Sequence, residues 1–169
     1  MLTPDELGAS EQEVLALPIT GDLRTRFFDS HFHIIDPRFP LIMNQNYLPP
    51  IFTIADYQAA TLNFNVLGGA VVTASFQGFD QRYLVAALHE LGPRFVGVTQ
   101  LPAAATDEEI LELDAIGVRA VRFNLYRGGS EGLEQLETMA QRVFELAGWH
   151  VELYMDSVSY THLRAHETG

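Results

Sequence analysis

Phe27-Phe28-Asp29-Ser30-His31-Phe32-His33 is the stretch on which the fold turns. It reads as a strand over about residues 27–32. A doubly wound sheet that binds nucleotides carries a glycine-rich turn after its first strand, and here that strand runs instead into a pair of histidines, which favours a closed barrel. In a βα barrel the carboxyl ends of the strands hold the active site, and residues two apart along a strand share a face. The spacing therefore predicts Asp29, His31 and His33 on one face, with His33 at or just past the strand's end. Two neutral imidazoles so placed suit one shared metal ion, and a carboxylate behind them fixes their tautomers. Core histidines are the alternative. An imidazole buried without partners is costly, so the position at the strand's mouth favours a functional pair.

Working outward, the chain repeats one grammar from Arg26 onward: a short apolar run, then a capped amphipathic stretch, then another apolar run. A long Pro-rich loop through Pro37, Pro40, Pro49 and Pro50 follows the first strand. Thr53 with Asp56 caps a first helix, and Gly68 to Thr73 reads as a buried strand. After Asp80 a helix carries Tyr83, Leu84, Ala87, Leu88 and Leu91 on one side and stops at Gly92-Pro93. Residues 95–101 form a third strand. Thr106 and Glu109 make a capping box, Gly117 closes that helix, and residues 118–123 form a fourth strand. Ser130 is predicted to open a helix with Leu133, Leu136, Met139, Val143 and Leu146 inward, and residues 150–155 form a fifth strand. Five βα steps begin and no sixth is visible. The fold class is α/β, a partial (β/α)8 TIM barrel of about the first five strands, since a whole one needs about 250 residues. Residues 1–25 read as an N-terminal extension with a helical turn around 10–17, residues 26–156 as the barrel portion, and residues 157–169 as a non-native tail. His162 and His166 in that tail are four apart and imitate a zinc site without a third ligand beside them.

Composition narrows the chemistry. With 169 residues, 47% hydrophobic and 19% charged, the chain is globular, and no apolar run reaches the roughly 18 residues of a membrane span. It carries no basic leader, so a cytoplasmic protein is expected. Ten Lys+Arg against 22 Asp+Glu give a net charge of -12, which repels phosphate backbones and anionic lipid; neither nucleic acid nor membrane is an expected partner. All ten cations are Arg. Without cysteine, only histidines and carboxylates remain as good metal ligands.

Pocket candidates follow from strand ends. Arg122 and Arg127 flank the end of the fourth strand with Asn124 between them, and a guanidinium fork there grips a carboxylate bidentately; rim ion pairs are the alternative. Thr73 and Ser75 after the second strand, and Tyr47 in the first loop, are hydrogen-bond donors for a carbonyl, or else cap and turn residues. Thr99 and Gln100 end the third strand, and Tyr154 and Asp156 the fifth. His150 starts the fifth strand at the opposite, structural end, and His89 is expected to face solvent.

Phe28-Asp29-Ser30-His31-Phe32-His33-Ile34-Ile35-Asp36 also resembles the opening motif of the amidohydrolase superfamily, in its amidohydrolase-related (amidohydrolase 2) branch of pyrone-dicarboxylate and sugar lactonases. The likeness continues through Ser75-Phe-Gln-Gly78, Gly97-Val-Thr-Gln100, Gly117 to Asn124 and Gly148 to Glu152, about residues 26–156 in all. It implies a barrel hydrolase of cyclic esters or related C–O and C–N bonds, with His31 and His33 catalytic. It implies either a divalent metal, Zn or Mn, on that pair, or a metal-free mode in which the imidazoles polarise the substrate carbonyl. The branch draws a further His and a general-base Asp from later strands, and no position here carries those roles. The reading is thus a lactone hydrolase for an anionic or sugar-acid small molecule, inactive as this fragment. A metal-dependent decarboxylase of an aromatic or unsaturated acid and a non-catalytic binding protein on the same scaffold are the alternatives. Two open sheet edges predict self-association, with the native oligomer left open.

Overall fold

The structure is a computed structural model that describes residues 26–156. The 1–25 extension with its proposed turn at 10–17, and the 157–169 tail with His162 and His166, lie outside the described residues. Five strands, β1 (Arg26–Phe32), β2 (Asn65–Val72), β3 (Phe95–Thr99), β4 (Val118–Asn124) and β5 (His150–Tyr154), form one sheet in the order β1-β2-β3-β4-β5. Every pairing is parallel. Periodicity left an open sheet and a barrel equally allowed, and strand order separates them. A doubly wound sheet reverses direction at a switch point, whereas here each strand sits beside its sequence neighbour throughout. The sheet is a curled half-barrel, a partial (β/α)8 TIM barrel.

Helices α1 (Ile54–Ala60), α2 (Arg82–Leu91), α3 (Asp107–Ala115) and α4 (Leu136–Ala147) complete the βα units. Local chemistry sets their starts. Thr53 and Asp56 form a reciprocal capping box at α1, and Thr106 and Glu109 do the same at α3. Ser130 does not open α4, because its hydroxyl accepts from the Asn124 amide at 2.7 Å and so folds the preceding loop; a 3-10 turn, Leu133–Gln135, leads into the helix. The strand ends also move. β2 starts three residues before Gly68, β3 stops at Thr99, β4 runs on to Asn124, and β5 stops at Tyr154.

The two faces of the sheet differ. Phe32, Val71, Phe95, Val118, Val121 and Phe123 turn outward and pack with Tyr57, Leu84, Leu88, Ile110, Val143 and Trp149 into one large apolar core. On the inner face, among the described residues, Ala70, Val72, Val98 and Ala120 form a small cluster with Val96 packed against it. Among the described residues no helix is long and apolar enough to cross a membrane.

Candidate active site

The chemistry collects at the carboxyl ends of the strands, where a cavity of about 430 Å³ is lined by His31, His33, Tyr47, Ser75, Arg122, Asn124, Arg127 and Tyr154. Pro49, Ala74 and Phe76 complete its wall. Eight of the side chains singled out from the sequence thus meet at one place. Thr73 does not reach it. Its Oγ1 accepts from the buried Tyr83 hydroxyl at 2.7 Å, on the helix side of β2. Thr99 and Gln100 also turn away: Thr99 hydrogen-bonds Gln81, and the Gln100 amide donates to the Gly78 carbonyl at 3.2 Å. Asp156 is exposed beyond β5, and His89 and His150 are exposed elsewhere.

A bulge in β1 decides which way the histidines look. Asp29 pairs with Gly69 and Phe32 with Val71, so β1 spends three steps where β2 spends two. The extra residue reverses the alternation. Asp29 therefore lies toward the helix layer, beside Tyr57, and does not stand behind the imidazoles as strict alternation predicted. Burial, and then the Asp29 carboxylate, push the Tyr57 phenol up to about 12, though the two groups stay outside hydrogen-bonding geometry. Past the bulge, Phe32 stacks on Tyr57 with centroids 4.0 Å apart, while the His31 and His33 rings stand edge to face at 5.1 Å. Gly69 makes room for this: a Cβ there would lie 2.7 Å from the Asp29 carbonyl.

Hydrogen bonds assign the tautomers. The His33 Nδ1 is 2.7 Å from the Val72 carbonyl, which can only accept, so Nδ1 carries the proton and Nε2 keeps a free lone pair. Arg122 Nη1 approaches His31 Nε2 at 3.2 Å, and a guanidinium can only donate, so this nitrogen is the acceptor. Burial first, and then the Arg122 charge, hold His31 below the ordinary imidazole value; burial is also the leading cause of the lowering at His33. Both rings are neutral at pH 7.

Arg122 is 6% exposed and lies over the Tyr154 ring, 5.2 Å from its centroid. Its Nε has no hydrogen-bond partner, and among the described residues it forms no ion pair. Burial lowers its basicity, and Glu152, its register partner on β5, opposes that only in part from a distance. Ser75 Oγ, also buried and unpartnered, faces the same cavity.

A divalent cation fits this donor set poorly. The His33 arrangement, Nδ1–H on a backbone carbonyl, is the one that orients a metal ligand. His31, however, already offers its lone pair to a fixed cation, and among the described residues no group of three or more His, Asp or Glu is placed to hold a metal. The motif spacing alone could not reveal this, because Arg122 is 91 positions away from His31.

Sequence reasoning missed the loop supports. Gln77 donates to the Ile34 carbonyl and accepts from the Ala74 amide, both at 2.8 Å, joining the loops after β1 and β2. Gly129, at φ +81°, lets the loop after β4 touch the Ser75 backbone, where a Cβ would sit 2.8 Å from the carbonyl oxygen. The Ser75-Phe-Gln-Gly78 segment stood out in the sequence, but only for its resemblance.

The family model described as amidohydrolase matches residues 28–165. The chain is 30% identical over 139 residues to a 2-pyrone-4,6-dicarboxylate hydrolase of Comamonas testosteroni, covering 80% of this chain and 45% of that protein. It is 27% identical over 159 residues to a 4-sulfomuconolactone hydrolase of Rhizobium radiobacter, covering 90% and 52%. Its fold matches the crystal structure of an Acinetobacter baumannii protein described as a probable 2-pyrone-4,6-dicarboxylic acid hydrolase, with citric acid bound, at a TM-score of 0.71 and 23% identity, over 83% of this chain and 54% of that one. The chain spans about half the length of the relatives it matches.

Proposed function

We propose, from the premise that this chain belongs to the amidohydrolase family, that it carries the first half of an active site that opens a lactone ring on an anionic or sugar-acid small molecule. The two curated relatives are both named as hydrolases of carboxylated or sulfonated ring substrates, which supports a negatively charged cyclic ester. One observation carries the reading: Arg122 is a buried guanidinium on the cavity wall with an unpartnered Nε and no carboxylate in ion-pair contact. Burying a charge without a partner is strongly unfavourable, so the site is built for an anion that arrives with the substrate.

The remaining groups divide the work. Arg122 and the exposed rim residue Arg127 bind carboxylate or sulfonate, and Ser75 Oγ and the Tyr47 and Tyr154 hydroxyls donate to ester oxygens. With both Nε2 atoms acting as acceptors, carbonyl polarisation falls to Ser75 and Arg122 and not to an imidazole N–H. His33 Nε2 orients a water. Its lowered basicity makes it a weak proton acceptor, and no Asp or Glu among the described residues lines the cavity, so the 169-residue chain is expected to bind without turning over. The occupied lone pair of His31 favours the metal-free mode over a Zn- or Mn-dependent lactonase or decarboxylase. A small-molecule enzyme of the cytoplasm, without nucleic-acid or membrane partners, is consistent with this acidic chain.

Calorimetric titration with 2-pyrone-4,6-dicarboxylate tests the reading. Binding is expected in the presence of chelator, weakened at least about 100-fold by Arg122→Ala, which removes the buried charge-assisted bonds. Equal binding by that variant, or binding that chelator abolishes, overturns it.

A further inference from the structure

The Arg127 backbone is held from both sides by asparagine side chains, one at the end of β4 and one in the loop after β1. Its N–H donates to Asn124 Oδ1 at 3.0 Å, and its carbonyl accepts from Asn44 Nδ2 at 2.8 Å. Asn124 ends β4, and its own amide is fixed by Ser130. Asn44 belongs to the loop after β1, 83 positions earlier.

Asn44 also holds a second cavity residue. Asn44 and Tyr47 exchange backbone hydrogen bonds of 3.1 and 2.9 Å, with Gln45 and Asn46 between them at φ 50° and 58°. Positive φ at both central residues is the tight hairpin turn in which the two flanking residues lie opposite each other. Tyr47 leaves that hairpin onto Phe76, at 5.7 Å between ring centroids, and lines the cavity. One amide thus joins the turn that presents Tyr47 to the peptide that presents Arg127.

We infer that Asn44 is a positioning residue of the anion site: it clasps the loop after β1 to the loop after β4 across the cavity mouth and thereby fixes Arg127, the rim guanidinium, relative to the deep guanidinium of Arg122. The inference rests on the anion-binding reading above and adds a residue that lines no part of the cavity itself. Arg127 is exposed and makes no ion pair among the described residues, so its place on the rim is set by its backbone, which Asn124 holds from the β4 side and Asn44 from the β1 side. Fixing a charged group before the ligand arrives lowers the ordering cost of binding.

The test uses the full 169-residue chain with glutarate as a two-carboxylate probe and butyrate as a one-carboxylate probe, titrated by calorimetry. Asn44→Ala is expected to weaken glutarate about tenfold, the loss of roughly one well-placed hydrogen bond, and to leave butyrate on Arg122 unchanged. Asn44→Leu keeps a similar shape without charge, removes the donor and should give the same loss, so the result does not hang on one variant's folding; unfolding midpoints near wild type are expected for both, since the hairpin lies outside both apolar clusters. In an Arg127→Ala background, Asn44→Ala should cost nothing further. An equal Asn44→Ala loss with and without Arg127, or no loss at all, overturns the inference while the anion site stands. Absence of glutarate binding by the wild type, or glutarate binding that Arg122→Ala leaves intact, overturns the site reading and the inference with it.

Discussion

The two faces of this sheet are built from the same five strands and have opposite solvents. Outward, large side chains interdigitate with four helices, and Val71, Leu84, Ile110, Val118 and Val143 have no exposed surface at all. Inward, the apolar cluster is four small side chains, and beyond it stand a guanidinium, two imidazoles and the exposed Phe28. Stability therefore resides in the helix layer, and the inner face is released from packing duty to carry polar groups that no core would tolerate. The division depends on alternation, and so on the β1 bulge, which turns Phe32 into the core and the histidines out of it.

Truncations measure the contrast most directly. Ile110→Ala, in the helix layer, should cost about 3 kcal/mol of unfolding free energy, in the range of a cavity left in a filled core, while Val98→Ala on the inner face should cost about 1. Urea unfolding of the two variants compares them, and equal losses would mean the inner cluster supports the fold as strongly as the outer one. Arg122→Met reverses the sign. Replacing a buried unpaired charge by an apolar side chain of similar length should raise stability by about 1–2 kcal/mol while anion binding disappears. A destabilised Arg122→Met protein would mean that the His31 contact, and not a substrate, is what the guanidinium is there for. Thr106→Ala, which removes one arm of the capping box on α3, should cost about 1 kcal/mol without any change in anion binding.

How much of this could be read in advance follows from the range of the interactions involved. The βα alternation, both capping boxes and the glycine stops were legible because each depends on residues within one or two turns of each other. Barrel against open sheet was not settled by periodicity, since the two share it and differ only in strand order. Eight cavity residues were found because strand ends converge in this architecture whatever their sequence. Thr73 failed by one step of register: the inner face of β2 runs through Ala70 and Val72, so the next residue points at Tyr83. Asp29 failed for the bulge, which requires Gly69 on the neighbouring strand and leaves no signature in Asp-Ser-His itself. The Asn44 to Arg127 clasp and the Arg122 to His31 contact join positions 83 and 91 apart, and no local pattern announces them.

Acidification is the smallest effect and separates the faces by where protons go. His31 and His33 are both lowered from an ordinary value of 6.5, so each is harder to protonate in the folded chain than in the unfolded one. Well above pH 6.5 the rings are neutral in both states and contribute nothing. As the pH falls through 6.5 the unfolded chain takes up protons first, and stability declines until the pH is under the lowered native values. The carboxylates held down by hydrogen bonds in the folded chain, Asp36 and Asp80 to arginines and Asp56 to Thr53, act in a lower window, losing their contribution only as the pH drops past their ordinary 3.8. Urea midpoints measured from pH 7.5 to 5.5 therefore isolate the inner face. They should fall with acid in the wild type, fall less in Arg122→Met, because the second cause at His31 is that charge, and stay nearly level when both histidines are replaced by Asn. A slope that survives the double replacement would place the acid sensitivity outside the inner face and remove the electrostatic distinction between the two faces.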